Sequence, residues 1–309
     1  MDKLCWPDGK SFAFTVFDDT DRATPGNFEK VYECLRDNGL RTTKSVWPIR
    51  GSQTSRLGGA TCEDPDYLAY IRELHRDGFE IGFHGATYHS SERATIVRSL
   101  ECFHELFGSY PRTMANHAGS ADNIYWGDAR LSGIRRQAYR LLRFQRPRFY
   151  GHCEESPYFW GDLCRDRIDY VRNFTAGDIN TLKTFPCMPY YDPKRPFVKQ
   201  WFSSSEGPEV HSFLRVISEE NQDRLEAEGG ACIMYTHFAA GFQDANGNLN
   251  QRFRELMRRL ASKNGWFAPV ATFLDYVRQQ RGEHVIDTTE RVRMERDWIK
   301  HKIWTCGAS

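Results

Sequence analysis

The sequence predicts an α/β fold of parallel βαβ units, closed into a barrel or spread as an open, doubly wound sheet. Three observations carry this. Apolar runs of strand length alternate with segments of helical period along most of the 309 residues. Several helical segments stop at a glycine, as at Gly39 and Gly78. Three of the strand-like runs end in residues able to do chemistry, Asp18-Asp19, His84 and His237. In barrels, active-site residues collect at the C-terminal ends of the strands.

The elements follow in order. Residues 11–17 read as a strand ending in Asp18-Asp19, and residues 28–37 as a helix with Val31, Tyr32 and Leu35 on one side. A second strand is expected over 42–49. A helix over 66–77 spaces Leu68, Ile71 and Leu74 for burial. Residues 79–83 form a short strand that runs into His84. The helix over 92–107 carries Ile96, Leu100, Phe103 and Phe107 on one stripe, and Ser90 or Ser91 can cap its free N–H groups. A short strand over 113–117, a clear one over 231–237, and helices over 252–263 and 271–281 complete the pattern.

The stretch 143–208 shows no period and is rich in aromatics and prolines, among them Tyr150, Trp160, Tyr170, Pro186, Pro189 and Trp201. It reads either as an irregular excursion packed on the domain or as a wall on which ring substrates stack. The expected organisation is one domain over 1–283 and a helical arm over 284–309 that packs on it and offers a surface for a homo-oligomer.

Composition narrows the classes. Hydrophobic residues make up 40% and charged residues 27%, ordinary for a globular chain. Lys plus Arg is 42 and Asp plus Glu is 41, so no global field attracts nucleic acid or an anionic membrane. No apolar run is long enough for a transmembrane segment, and the mean hydropathy is −0.65. The N-terminus lacks the pattern of a signal peptide. Nine cysteines, an odd number without CxxC pairs, fit reduced thiols and a cytoplasmic setting.

Three motifs carry the chemistry. In Thr15-Val16-Phe17-Asp18-Asp19, two adjacent carboxylates repel one another unless a cation or water intervenes. Successive strand residues face opposite ways, but a chain curling at the strand tip brings both to one cavity. In His84-Gly85-Ala86-Thr87-Tyr88-His89, two imidazoles lie five residues apart; with one carboxylate they would leave an open position on a zinc-like ion. His237 closes the apolar run Cys232-Ile233-Met234-Tyr235-Thr236 and is either a satisfied core histidine or a general acid.

Taken together, strand–Asp-Asp, strand–His–loop–His and late strand–His resemble the polysaccharide deacetylase family, the NodB-like carbohydrate esterases of family four, over residues 11–238. The resemblance implies a distorted (β/α) barrel of the polysaccharide deacetylase type, here with an irregular aromatic-rich insertion. It implies a hydrolase that removes an N-acyl group, acetyl or formyl, from an amino sugar, with a divalent metal, zinc before cobalt, manganese or nickel. It makes Asp18 the catalytic base, His237 the catalytic acid, and Asp19, His84 and His89 the metal ligands. With a cytoplasmic chain, the substrate would be a nucleotide- or lipid-linked precursor of a surface polysaccharide.

Departures from the family pattern mark a divergent member. The gap from His84 to His89 is one residue longer than usual. The third motif lacks its arginine and reads Met114-Ala115-Asn116-His117, so Asn116 or His117 replaces it near the base or the substrate, or His117 reaches the metal. The aspartate that would orient His237 is open among Asp162, Asp178 and Asp192. A ureide-type amidohydrolase and a catalytically silent sugar-binding relative are the competing readings.

Overall fold

A computed structural model of the chain describes residues 4–53, 55, 58–142 and 148–305. Strand β1 (Phe12–Asp18) leads to α1 (Glu29–Asp37), β2 (Thr43–Val46), α2 (Pro65–Arg76), β3 (Glu80–Phe83), α3 (Arg93–Phe107) and β4 (Thr113–Met114). Next come α4 (Gly133–Leu142), α5 (Gly161–Arg167), β5 (Tyr170–Ala176), α6 (Thr181–Thr184) and β6 (Gln200–Glu206). The chain continues with α7 (Val210–Val216), α8 (Glu219–Glu228), β7 (Ala231–Thr236), α9 (Gln251–Ala261), β8 (Gly265–Trp266), α10 (Val270–Arg281) and α11 (Thr288–Thr305).

The strands are parallel and run β2-β3-β4-β5-β6-β7-β1, and β1 also pairs with β2, which closes a seven-stranded barrel. Closure is distorted in a specific way. The start of β1 pairs with β8, Phe12 against Gly265, while its end pairs with β2, Phe17 against Thr43 and Asp18 against Lys44. The short β8 therefore wedges β1 and β2 apart at one end, and the seam is tight only at the chemistry-bearing end. This is the distorted (β/α) barrel that the motif resemblance implies, and it excludes the open sheet.

Side-chain alternation fills the barrel. Phe17 points inward and meets Phe202 of β6, ring centroids 6.0 Å apart. Gly82 of β3 makes room for that ring, since a Cβ there would lie 3.3 Å from Phe17 Cζ and 3.0 Å from Thr113 Oγ1.

The stretch 143–208 departs from the expectation of an irregular excursion. Its first residues, 143–147, lie outside the described ones, but the remainder carries β5 and β6, two strands of the barrel wall. Both are buried along nearly their whole length yet polar, with Arg172, Asn173 and Thr175 in one and Ser203, Ser204 and Ser205 in the other. The fourth strand is shorter than expected, and residues 115–117 continue it as a loop.

The expected helical arm is α11, whose last residues, 306–309, lie outside the described ones. It is integrated rather than appended. Trp298 is 1% exposed and packs on Phe174 of β5, and the Arg130 guanidinium lies between Trp126 and Trp298, 3.3 and 5.2 Å from their rings. Lys302 pairs with Glu206 at the end of β6 at 2.9 Å. Among the described residues no helix is long and apolar enough to cross a membrane.

Candidate metal centre and active site

The end of β1 sorts three carboxylates into three environments. Asp18 follows the inward-facing Phe17 and so points outward, against the helix layer. It is 0% exposed, pairs with Lys44 Nζ at 2.9 Å, and accepts hydrogen bonds from Tyr32 Oη of α1 at 2.9 Å and Phe238 N at 2.8 Å. Asp19 points back inward and receives both terminal nitrogens of Arg172 from β5, at 2.9 and 2.6 Å. The chain then turns over the barrel mouth. Ala23 N bonds to Thr20 O at 2.9 Å, Arg22 takes a positive φ of 65°, and Thr20 Oγ1 bonds to Tyr67 Oη at 2.8 Å. That turn presents Asp21.

Asp21 is the hub of the site. Its Oδ1 lies 2.9 Å from His117 Nδ1 and 3.4 Å from His84 Nε2, and its Oδ2 lies 3.2 Å from His237 Nε2. His84 reaches the hub because its backbone N–H bonds to Val46 O at 3.0 Å, extending the β2–β3 ladder by one residue before Gly85 breaks it at φ 93°. His117 reaches it from the loop after β4. Asn116 sets that loop with two bonds to Ile124, its Nδ2 to the carbonyl at 3.1 Å and its Oδ1 from the N–H at 2.8 Å. Trp47 backs both imidazoles, with ring centroids 6.1 Å from His84 and 5.3 Å from His117.

Electrostatics follow from this crowding. Burial alone would raise the Asp21 pKa, but the charge of His84 and the close approach of the His117, His237 and His84 imidazoles hold it well below the usual carboxylate range. Burial works against a charged His237, yet the bond to Asp21, the charges of Asp19 and Asp21 and the Pro208 carbonyl outweigh it and raise its pKa. The His237 Nδ1–H donates to Pro208 O at 2.8 Å, which fixes the ring with Nε2 toward Asp21.

These residues fit a divalent ion. One oxygen of Asp21 and one nitrogen each of His84 and His117 lie within 4.8 Å of one another, all three buried. Asp21 Oδ1 makes no hydrogen bond although His117 Nδ1 lies 2.9 Å away, so the two atoms are close without being aligned as donor and acceptor. Two imidazoles and one carboxylate leave a coordination position open, as catalytic zinc sites do.

The placement redraws the site expected from sequence. His84 and His117 are brought together, and His237 stands beside them. Asp18 is not, because strand alternation turns it away from the mouth. His89 is not either: its Nε2 meets Gln53 O at 2.7 Å, and it borders a separate cavity of about 290 Å³ together with Arg50 and Glu92. The long gap after His84 lets the loop run outward. Asp19 lies next to the group, its Oδ1 3.8 Å from His84 Nδ1, but both its oxygens are engaged by Arg172. Asn116 shapes the loop and does not face the ions' donors. The aspartates 162, 178 and 192 pair with Arg93, Arg224 and Arg195, and a backbone carbonyl orients His237 instead.

Asp21 and Arg172 are the two residues that sequence reading missed. Asp21 had a signal, a third carboxylate in the run Asp18-Asp19-Thr20-Asp21 just past the strand end. Arg172 had none, since it sits in a strand without an apolar pattern.

No known family profile matches the sequence, and no curated protein matches it. Solved structures share the fold. The Puue allantoinase superposes with a TM-score of 0.52 at 12% identity, covering 89% of this chain and 93% of that one. A probable polysaccharide deacetylase from Pseudomonas aeruginosa PAO1 superposes with a TM-score of 0.52 at 11% identity, covering 89% and 94%.

Proposed function

We propose that this protein is a metal-dependent hydrolase that removes an N-acyl group, acetyl or formyl, from an amino sugar. The observation that carries the reading is the convergence of Asp21, His84 and His117 with His237 on one side and the Asp19–Arg172 pair on the other. The resemblance of the sequence motifs to deacetylases supports it, as does the fold shared with the Pseudomonas protein. All eight described cysteines are free thiols, which fits a cytoplasmic enzyme acting on a nucleotide- or lipid-linked precursor of a surface polysaccharide.

Asp21, His84 and His117 would hold the ion, zinc by their chemistry. When bound, it supplies Lewis acidity that polarises the acyl carbonyl and makes water nucleophilic near neutral pH. Asp19 takes the proton of the attacking water; Arg172 holds it aimed through two hydrogen bonds. Asp18, which the motif resemblance makes the base, is sealed by Lys44 and Tyr32 and holds the seam of β1 and β2 instead. His237 carries a proton on Nε2 with its ring fixed through Nδ1, and delivers it to the departing nitrogen, which is otherwise a poor leaving group. The products are a small carboxylic acid and a free amino sugar.

A second reading, a ureide-type amidohydrolase, is favoured by the likeness to an allantoinase. The two separate in one assay. Zinc-loaded protein is offered N-acetyl and N-formyl amino sugars, free and nucleotide-linked, beside allantoin and related ureides, and released acetate, formate or ring-opened product is measured. Acid release from sugars that disappears with chelator and in Asp21→Ala supports the deacylase. Turnover of ureides alone overturns it in favour of the second reading. No turnover by the zinc-loaded protein on any of these leaves the silent relative.

A further inference from the structure

We infer that Cys187, His284 and Glu290 form a second divalent-metal site, of zinc type, which clips the start of α11 to the rest of the chain. The three donors come from separate segments: the stretch after α6, the connection after α10 and the first turn of α11. Their ligand atoms lie within 4.8 Å of one another. Cys187 Sγ is 3.0 Å from Glu290 Oε1, and His284 Nε2 is 2.9 Å from Glu290 Oε2.

The surroundings hold these donors in place. Ile286 N bonds to Tyr191 O at 3.0 Å and Tyr191 N to His284 O at 2.8 Å, which locks the His284 backbone. Arg281 Nη1 bonds to Pro186 O at 2.9 Å, beside Cys187. A capping box fixes Glu290, with Glu290 N to Asp287 Oδ1 at 2.8 Å and Asp287 N to Glu290 Oε2 at 3.1 Å. Cys187 and His284 also border a cavity of about 450 Å³, through which an ion and a water as fourth donor can enter.

The donor set selects the ion. One thiolate, one imidazole and one carboxylate favour zinc over magnesium or calcium, which want oxygen alone. Binding releases one proton: the Cys187 S–H, now donated to Glu290, leaves as the sulfur takes the metal, and the proton that His284 Nε2 now donates to Glu290 moves to Nδ1, which frees Nε2 for the ion. Burial and Glu290 push the Cys187 thiol pKa up to about 12, and Arg293 Nη2, 3.8 Å from the sulfur, opposes them, so an ion is needed to displace the proton. Clipping here has a structural consequence, because α11 carries Trp298 and Lys302 into the fold.

Cobalt titration of metal-stripped, full-length protein tests this. A thiolate ligand gives cobalt a sulfur-to-metal charge-transfer band, and the Asp21, His84 and His117 donors contain no sulfur, so a band that disappears in Cys187→Ser and persists in Cys5→Ser reports the second site. Wild type should show the band and bind two ions per chain. Cys187→Ser should lose the band and one ion, and His284→Gln should weaken it. Asp21→Ala should keep the band while losing the other ion. Wild-type protein that binds cobalt without the band, or Cys187→Ser that binds as many ions as wild type, overturns the proposal and leaves the first site untouched. If Cys187→Ser does not fold, the wild-type spectrum decides.

Discussion

Arg172 and Asp19 meet through two hydrogen bonds, 2.9 and 2.6 Å, with each side chain only 3% exposed. The pair ties the end of β1 to the middle of β5 across the barrel mouth. A bidentate guanidinium–carboxylate contact is both strong and directional. It places an arginine beside Asp19 from β5, although the third sequence motif contains none.

The first prediction concerns this pair. Asp19→Asn should lower turnover roughly 100- to 10,000-fold, the range of a general base, while zinc content stays that of wild type. Asp21→Ala should lose both turnover and one zinc. Arg172→Lys keeps the charge but not the fork, so it should lower turnover without removing metal. Metal analysis beside steady-state kinetics measures all three, and zinc loss in Asp19→Asn would reverse the assignment.

Asp18 should behave oppositely. Asp18→Asn leaves the Lys44 ammonium buried without its counter-charge, which costs about 3–5 kcal/mol of folding stability. Folded Asp18→Asn protein should bind zinc and turn over at a rate close to wild type. Denaturant unfolding and initial rates at low temperature separate the two effects.

The pH dependence of the metal-free protein follows from two shifts of opposite sign. The raised pKa of His237 adds stability that is complete below its unfolded value of about 6.5 and is lost as pH rises through the folded value. The depressed pKa of Asp21 adds stability that is present above about 3.9 and is lost as pH falls through the folded value. Melting temperature against pH should therefore decline on both sides. His237→Ala should flatten the alkaline decline; an unchanged alkaline limb would show that another group titrates there.

His237 also governs the leaving group. Its replacement by alanine should slow amide substrates roughly 100- to 10,000-fold and activated esters much less, because an ester oxygen needs little protonation to depart. Equal slowing of both would remove His237 from the acid role.

The arm should matter to folding. Trp298→Ala removes an indole packed on Phe174 and Tyr139, with expected loss of about 3–5 kcal/mol. Calorimetry reads this directly, and a change below 1 kcal/mol, roughly that of a surface substitution, would show the arm to be peripheral.

Part of this was legible in the sequence. The strands β1, β3 and β7 stand out because their apolar runs end in Asp18-Asp19, His84 and His237, and α1, α2 and α3 because their apolar stripes repeat at helical spacing. The strands β5 and β6 were not legible. Their buried faces carry arginine, asparagine, threonine and serine in place of a regular apolar series, so the periodic apolar signal that marks a strand is missing. His89 misled because imidazole spacing on a loop says nothing about where the loop goes.

The sequence by itself determined the alternation of strands and helices and the concentration of carboxylates and imidazoles at strand ends, since backbone preference and burial period are local properties. Only the tertiary structure decided which of them meet. Pleating turned Asp18 out and Asp19 in, a turn of residues 20–23 brought Asp21 over the mouth, and barrel closure set Arg172 beside Asp19, 153 positions away, and His117 beside Asp21. Convergence of donors on one point is a sum of many distant placements, and no short stretch of chain encodes it.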